Sequence, residues 1–412
     1  MRRPSGFAYV LMATAIAGLG GYVVTWLVPR VIGFAAYADF AVFWSLLFLI
    51  VSALSGIQQE VTRATSAPID VGVSRPHQAA IFAGVGAVIV FTAVALSSPL
   101  WGTAFGGSAG ALVWPLSLGA ATSVLVAVLT GTVYGSRRWR IVFIVVAVEA
   151  LVRVVGLAVG LVWTSSIVDL AWLVVLPFAV AFLVTLPIAV RTSAAPVRFD
   201  VGYRGLSWNV ARTIAAAASM GLLVSGFPFV LAATSRGVSD DELGLLVLVA
   251  TLVRAPLIVT AMALQSYLIV FFRDRRATFG RSLLRVVALV IATSIVLGAA
   301  GWLLGPAVFA LLFPDEPVPS GSLVGVLVLS SGLVAALCVT APAVLSLSKH
   351  AAYTAGWLVA AFSTIGCLLL PIGFLDRTVL ALLVGPLAGL LVHGCYLATI
   401  HPVRSSVSKI PG

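Results

Sequence analysis

Two charged residues stand four positions apart inside a long apolar stretch. Glu149 and Arg153 lie in the apolar run 141–163. On a helix this spacing places both side chains on one face, and the acidic residue comes first, which is the favoured order. A charged group at membrane depth is costly and is often functional. The pair is therefore either a functional pair that lines a cavity and can exchange partners, or a self-neutralised structural pair that fixes its helix to a neighbour.

A single arginine lies midway along a second apolar run. Arg254 occurs in the segment Leu252–Pro256, with no acidic residue near it in sequence. Pro256 removes a backbone hydrogen bond and can kink the helix. The forked guanidinium donors of arginine match the oxygens of a phosphate group. We predict that Arg254 faces a water-filled cavity and binds a phosphate group. The alternative is that it serves as a charge partner for Glu149 or for another carboxylate.

Other polar side chains occur near the ends of apolar runs. Arg212, beside Asn209, can extend along the helix to reach the water interface, and this structural role is the favoured one. Gln59 belongs to the polar segment 58–63, and Gln265 stands at the matching place in the second half of the chain. These two glutamines either line the mouth of a cavity or belong to solvated helix ends, and the second interpretation is favoured. The complete set of candidate substrate-binding residues is Arg254, Glu149, Arg153, Arg212, Gln59 and Gln265.

The sequence offers little support for metal or cofactor chemistry. The glycine-rich segment 105–110 lacks the lysine of a phosphate-binding loop. Cysteines occur inside apolar stretches without paired spacing, and the histidines lack the spacing of metal ligands. Tryptophans, including Trp44, fall mostly near the ends of apolar runs, where they typically anchor a helix at the membrane interface. We therefore predict a protein that is not an enzyme and that uses no cofactor or metal. The histidines are His77, His350, His393 and His401.

The composition predicts the elements that must position these residues. Of the 412 residues, 61% are hydrophobic and only 9% are charged, and the mean hydropathy is +1.17. Soluble domains are about one-quarter charged. A membrane span needs roughly 20 apolar residues, and lipid admits only helices and closed barrels. Barrel strands alternate in polarity over about ten residues, whereas the apolar runs here are longer and do not alternate. The fold class predicted is an all-α polytopic membrane protein.

Twelve membrane-spanning helices are predicted from the apolar runs. Turn residues and charges separate these runs along the chain. The predicted spans are 7–29, 36–57, 79–99, 110–133, 141–163, 168–190, 208–232, 243–268, 283–304, 322–344, 352–373 and 378–399.

The distribution of basic residues predicts the orientation. With both termini in the cytoplasm, 18 of the 24 Arg and Lys residues fall in inside segments and three in outside loops. The remaining three, Arg153, Arg212 and Arg254, lie in or near spans. This asymmetry is the pattern that sets membrane orientation. It also explains the net charge of +11, which we do not interpret as a sign of nucleic-acid binding.

The two halves of the chain have a similar layout. The polar ends of the second and eighth spans correspond, as do the basic segments after the fourth and tenth spans. Such an echo is expected for a transporter built from repeats. We predict an N-terminal six-helix bundle over 1–190, a cytoplasmic linker over 191–205 and a C-terminal six-helix bundle over 206–412.

Short motifs near the N-terminus resemble those of a known family. Gly18–Gly21, the helix end Val28–Pro29 and the segment Ala35–Phe40 resemble the start of polysaccharide flippases of the multidrug/oligosaccharidyl-lipid/polysaccharide (MOP) superfamily. The resemblance implies two bundles around a central cavity, alternating access and location in a bacterial cytoplasmic membrane. It also implies an anionic substrate such as an oligosaccharide on undecaprenyl diphosphate, with membrane lipids and glycan-assembly enzymes as other partners.

The resemblance implies a role for Arg254 in particular. In these flippases and the related lipid II flippases, arginines in the cavity are thought to contact the diphosphate, and Arg254 best matches such a position. Lipid II flippases usually also carry arginines in the first span. This chain has none between Phe7 and Val28, which argues against lipid II itself as the substrate.

Other functions remain open. A drug/cation antiporter of the same superfamily would need an unpaired carboxylate in the first or seventh span, and neither span has one in its core. A major-facilitator transporter normally has Gly-x-x-x-Asp-Arg after its second span, where this chain has Gln58–Glu60. A non-transporting partner of a glycan-assembly enzyme and an integral membrane enzyme are further alternatives. Loss of Arg254 should abolish a flippase and barely affect a scaffold.

Overall fold

The chain folds into helices throughout the part that the structure describes. The computed structural model describes residues 6–65, 77–105, 108–192, 199, 202–235, 237–347 and 349–400. These residues form fourteen α-helices and short 3-10 turns, without a strand. The helices are α1 (Gly6–Thr65), α2 (Gln78–Leu96), α3 (Ser98–Trp101), α4 (Ala109–Gly135), α5 (Trp139–Gly160), α6 (Ile167–Arg191), α7 (Tyr203–Val224), α8 (Phe227–Thr234), α9 (Asp240–Ala263), α10 (Gln265–Asp274), α11 (Phe279–Leu312), α12 (Gly321–Ser346), α13 (His350–Leu368) and α14 (Phe374–Ile400).

These helices supply twelve spans in the described part of the chain. Ten helices are long and apolar enough to cross a membrane, and α7 with α8 forms an eleventh span that is bent by 72°. Helix α1 is itself two helices that meet at Gly33, where φ is 78° and ψ is 170°. That backbone conformation is essentially confined to glycine. Counting α1 twice gives twelve, so the predicted all-α fold with twelve spans is confirmed.

The first connection is shorter than the sequence predicted. The predicted spans 7–29 and 36–57 leave a break of six residues after Pro29. Instead, the helix continues through Pro29, turns at Gly33 and resumes, so the break is confined to Gly33. The helix is therefore broken at Gly33 and not at Pro29, because Gly33 has a backbone conformation that other residues avoid. The side of the membrane on which each terminus lies stays a prediction.

The chain divides into two compact units, Met1–Leu248 and Val249–Gly412. In the first unit α1 is central and packs against α4, α5 and α7. In the second unit α11 packs against α12 and α13 against α14, and α12 also contacts α14. The linker predicted over 191–205 lies largely outside the described residues. The division into two six-helix bundles therefore stays a prediction.

Small residues bring α1 and α7 into close contact. A Cβ atom on Gly56 would lie 2.6 Å from the backbone nitrogen of Ile214. The hydroxyl of Thr213 donates to the carbonyl oxygen of Gly56 at 3.0 Å. Gly221 likewise faces Ser52 across the same contact. Such close backbone approach is typical of helix pairs in membranes, because small side chains allow extensive van der Waals contact.

A serine from α1 is inserted into the break between α7 and α8. The hydroxyl of Ser45 donates to the carbonyl oxygen of Ser225 at 2.6 Å and accepts from the backbone N–H of Phe229 at 3.0 Å. Ser225 and Phe229 are four residues apart, the spacing of a helical hydrogen bond. Ser45 therefore bridges two groups that a continuous helix would join directly, and Pro228, which has no backbone N–H, lies in the same break. Both features are recognised causes of sharp kinks.

Candidate functional site

The predicted pair in α5 forms a direct ion pair. The Nη2 atom of Arg153 lies 2.6 Å from Oε1 of Glu149. The side chains keep 11% and 20% of their surface exposed, respectively. A charge pair of this kind is expensive to bury unless the geometry is good, and here the two groups share one short, charge-assisted hydrogen bond. The contact predicted from the four-residue spacing of Glu149 and Arg153 is therefore present. The functional or structural role of the pair stays a prediction.

Three aromatic rings surround the guanidinium of Arg153. Its central carbon lies 5.8 Å from the ring centroid of Trp44, 5.2 Å from that of Phe48 and 5.1 Å from that of Phe178. Each distance falls within the roughly 6 Å range of a cation–π interaction. Trp44 and Phe48 are one turn apart on α1 and stack on each other with centroids 4.8 Å apart, whereas Phe178 belongs to α6. We call Trp44, Phe48 and Phe178 the aromatic cage.

The aromatic cage was missed by sequence reasoning. Trp44 was interpreted as an interfacial anchor, but in the structure its ring contacts a charged group in the interior of α5. The i, i+4 spacing of Trp44 and Phe48 in α1 was visible in the sequence. No signal in the sequence connected them with Phe178 or Arg153, because that proximity depends on how α1 and α6 pack against α5.

The environment of Arg153 leaves part of its hydrogen-bonding capacity unused. Its Nε atom is buried and has no hydrogen-bond partner among the described residues. A guanidinium carries five N–H donors, and Glu149 accepts from only one of its nitrogens. An anionic group that approached the exposed part of this pair could therefore accept hydrogen bonds from the guanidinium N–H groups that Glu149 does not use.

Arg254 lies buried near the middle of α9. Only 5% of its surface is exposed, and Pro256 follows within the same helix. The sequence predicted that Arg254 lies inside a membrane span, where a charged side chain is costly, and the burial of Arg254 agrees with that prediction. Whether its side chain faces a cavity and binds a phosphate stays a prediction.

The remaining predicted site residues occupy different environments. Arg212 in α7 and Gln59 in α1 are exposed. Gln265 at the start of α10 is partly buried, and its amide nitrogen has no hydrogen-bond partner among the described residues. Among these candidates the structure joins only Glu149 and Arg153 directly. The binding roles of Arg212, Gln59 and Gln265 stay predictions.

A buried acidic residue lies where the sequence suggested a solvated helix end. Glu60 is 4% exposed. Its carboxylate accepts from Arg63 Nε at 2.9 and 3.0 Å and from Arg63 Nη2 at 2.6 Å. The side-chain amide of Asn209 in α7 also donates to it at 2.8 Å. Glu60 therefore connects α1 to α7, and its interpretation as part of a solvated end was wrong.

A buried histidine joins three helices of the second unit. His393 in α14 has no exposed surface. Its Nδ1 atom lies 2.9 Å from the hydroxyl of Thr340 in α12, and its Nε2 atom lies 3.4 Å from the carbonyl oxygen of Tyr353 in α13. A carbonyl only accepts, so Nε2 carries a proton. The Thr340 hydroxyl that faces Nδ1 also lies 3.2 Å from the carbonyl oxygen of Leu337 in its own helix. Both ring nitrogens thus have partners, which is the pattern of a structural core histidine. Among the described residues, no three His, Cys, Asp or Glu side chains are grouped as metal ligands.

Comparison with known proteins gives relatives and a fold. No family model matches the chain. The chain is 34% identical over 399 residues to the uncharacterized protein Mb3654 of Mycobacterium bovis, covering 95% of this chain and 91% of that protein. It is 33% identical over 406 residues to the uncharacterized protein Rv1510 of Mycobacterium tuberculosis, with the same coverage.

The solved structures that resemble the chain are transporters. An inward-facing multidrug resistance MATE transporter of the MOP superfamily has a TM-score of 0.73 at 14% identity, covering 95% of this chain and 96% of that one. The lipid II flippase MurJ in an inward closed conformation has a TM-score of 0.71 at 10% identity, covering 95% and 86%. At these identities the likeness establishes the fold, which is that of the MOP transporters.

Proposed function

We propose that this chain, which belongs to the bacterial family that includes the uncharacterized proteins Mb3654 and Rv1510 and has the MOP transporter fold, is a flippase. In this proposal it moves an anionic, lipid-linked oligosaccharide on a polyprenyl diphosphate across the membrane by alternating access. The MOP fold supports a transport function, and the buried arginines favour an anionic substrate.

The observation that carries the proposal is the excess of arginine over carboxylate at membrane depth. Arg153 and Arg254 are largely buried within spans, and Glu149 is paired with the first of them. A diphosphate that crosses the membrane must leave water, and guanidinium groups offset that cost through charge-assisted, bidentate hydrogen bonds. These three residues together carry a net positive charge, which suits a phosphate-bearing headgroup better than a cationic drug.

The first and seventh spans support the same choice. Neither the segment 7–28 nor the segment 203–234 contains an aspartate or a glutamate. A proton- or sodium-coupled drug antiporter of this superfamily would need an unpaired carboxylate in one of these two spans to hold its ion. The absence of acidic residues from these segments therefore favours the flippase over the drug/cation antiporter.

The decisive experiment measures movement of a fluorescent polyprenyl diphosphate glycan between leaflets. The protein is reconstituted into liposomes, and a membrane-impermeant reductant reports the fraction of probe in the outer leaflet. We expect the wild-type protein to equilibrate the probe. Arg254→Ala should slow this movement by about 10- to 100-fold, which corresponds to a lost charge-assisted interaction of roughly 1.5–3 kcal/mol. Arg254→Lys should retain part of the rate.

The matched control is Arg285→Ala. Arg285 is exposed near the start of α11, so its removal should leave the rate unchanged while it reduces the net charge by the same amount. An unchanged leaflet distribution with the wild-type protein would sink the proposal. Proton-coupled uptake of an organic cation instead would favour the antiporter. Normal leaflet distribution in depleted cells, combined with defective glycan assembly, would favour a non-transporting partner of a glycan-assembly enzyme.

A further inference from the structure

Of the two residues in the α5 ion pair, Arg153 makes more contacts with its surroundings than Glu149 does. All three ring centroids of the aromatic cage lie within 6 Å of the guanidinium carbon of Arg153. The side chain of Glu149 is the more exposed of the two, and its Oε1 atom receives a single hydrogen bond from Arg153. Rotation of Arg153 would break three cation–π contacts, whereas rotation of Glu149 would break one hydrogen bond. Glu149 can therefore rotate away from Arg153 at a lower energetic cost than Arg153 can rotate away from Glu149.

We propose that a phosphoryl group of the substrate replaces Glu149 at Arg153, and that Glu149 takes up one proton as it leaves. The exchange is Arg153⁺·Glu149⁻ plus anion⁻ plus H⁺ giving Arg153⁺·anion⁻ plus neutral Glu149, in which no covalent bond other than the O–H bond forms. Anion binding and proton uptake are thereby linked. This inference rests on the proposed function and names the residue that couples it to protons.

The physical reason is the charge balance of the site. One guanidinium cannot neutralise both a carboxylate and a phosphoryl group at membrane depth. A carboxylate that loses its counter-charge there bears a large desolvation cost, and proton uptake removes it. About a fifth of the Glu149 side chain is exposed, and in this proposal the proton approaches this part of the carboxylate. Without proton uptake, the displaced carboxylate would repel the incoming anion.

No other ionisable group of the described residues replaces Glu149 in this role. Helices α1, α4 and α6 pack against α5, and among the described residues the ion pair of Glu149 is the one with Arg153. Gly20 of α1 faces Ala150 and Val154 of α5, and the buried hydroxyl of nearby Tyr22 has no hydrogen-bond partner in the described part of the chain. Asp39 lies five residues before Trp44, or about 8 Å along the helix axis. Asp169 and Arg191 lie in the first and last turns of α6. The complete set on these helices is Tyr9, Tyr22, Arg30, Tyr37, Asp39, Glu60, Arg63, Tyr134, Asp169 and Arg191.

Calorimetry of the whole protein in detergent tests the inference, with farnesyl diphosphate as the probe. Titration in two buffers that differ in ionisation heat gives the number of protons taken up per bound probe. We expect the wild-type protein to take up about one proton more than Glu149→Gln. The Gln variant should bind the probe about tenfold more tightly, because the competing carboxylate is gone. Glu149→Asp should retain the proton uptake. Protonation of the probe itself cancels in the comparison.

The outcomes separate this inference from the proposed function. Equal proton numbers for the wild-type protein and Glu149→Gln would overturn the coupling and leave the flippase proposal standing. Failure of the wild-type protein to bind the probe or to move the glycan lipid would overturn both. If Glu149→Gln does not fold, infrared difference spectra of the wild-type protein decide the question. A new carboxylic-acid C=O band on probe binding supports the inference, and its absence overturns it.

Discussion

Removing the hydroxyl of Ser45 should destabilise the first unit measurably. This hydroxyl bridges the carbonyl oxygen of Ser225 and the N–H of Phe229. Phe229 lies in the first turn of α8, where backbone N–H groups have no partner within the helix. Ser45→Ala therefore leaves two backbone groups of the break without the partner that now serves both.

Two estimates bound the size of the effect. Hydrogen bonds between membrane helices average about 0.6 kcal/mol, so two of them give roughly 1 kcal/mol. Two buried backbone groups left unsatisfied would cost about 2–6 kcal/mol. We expect about 2 kcal/mol, because the break is buried beneath α1 and the carbonyl oxygen and N–H lie too far off helical geometry to pair without movement. If the span straightens instead, the two groups pair and the loss approaches the lower bound.

Unfolding of the purified protein in mixed micelles, titrated with a denaturing detergent, measures this loss. The matched control is Ser55→Ala, since the hydroxyl of Ser55 bonds only to the carbonyl oxygen of Ser52 within its own helix. A distance between spin labels at positions 211 and 233, with the three native cysteines replaced, reports whether the bend changes. If Ser45→Ala lies within 0.5 kcal/mol of Ser55→Ala and the labels do not move, Ser45 does not hold the break.

Two further substitutions test the packing of each unit by thermal unfolding. Gly56→Ala should destabilise the protein by about 1–3 kcal/mol or more, because the added Cβ would lie 2.6 Å from a backbone atom of Ile214. Gly84→Ala, where a Cβ meets nothing within 4 Å, should be neutral or slightly stabilising, and equal effects would contradict this packing. Thr340→Val should cost roughly 1–3 kcal/mol by leaving Nδ1 of buried His393 without its hydrogen-bond partner. Thr399→Val, at an exposed hydroxyl, is its control, and a similar loss there would argue against the histidine contact.

Several features of the candidate site could be read from local spacing. Glu149 and Arg153 are four residues apart, so a helix must bring them together wherever it lies. Arg254 stands deep within an apolar run, so a span of ordinary length must bury it or expose it to a cavity. Both statements depend on helix geometry alone, and the structure agrees with the first contact and with the burial of Arg254.

Other features required knowledge of which helices pack together. Glu60 was interpreted as solvated because it stands near a helix end beside other polar residues. Asn209, which helps to bury it, lies 149 positions away in the sequence. Its environment is set by the close approach of α1 and α7 at Gly56, and no local pattern encodes that approach.

The sequence by itself determined the all-helical class and the twelve spans, because lipid leaves a long apolar run almost no alternative to a helix. It also determined the pairing of Glu149 with Arg153, because a contact between residues four apart is a property of a single helix. Only the tertiary structure decided that Trp44, Phe48 and Phe178 enclose Arg153. Those rings come from two helices that meet the pair through packing, and packing in a membrane depends on the shapes of facing surfaces rather than on the polarity of either helix.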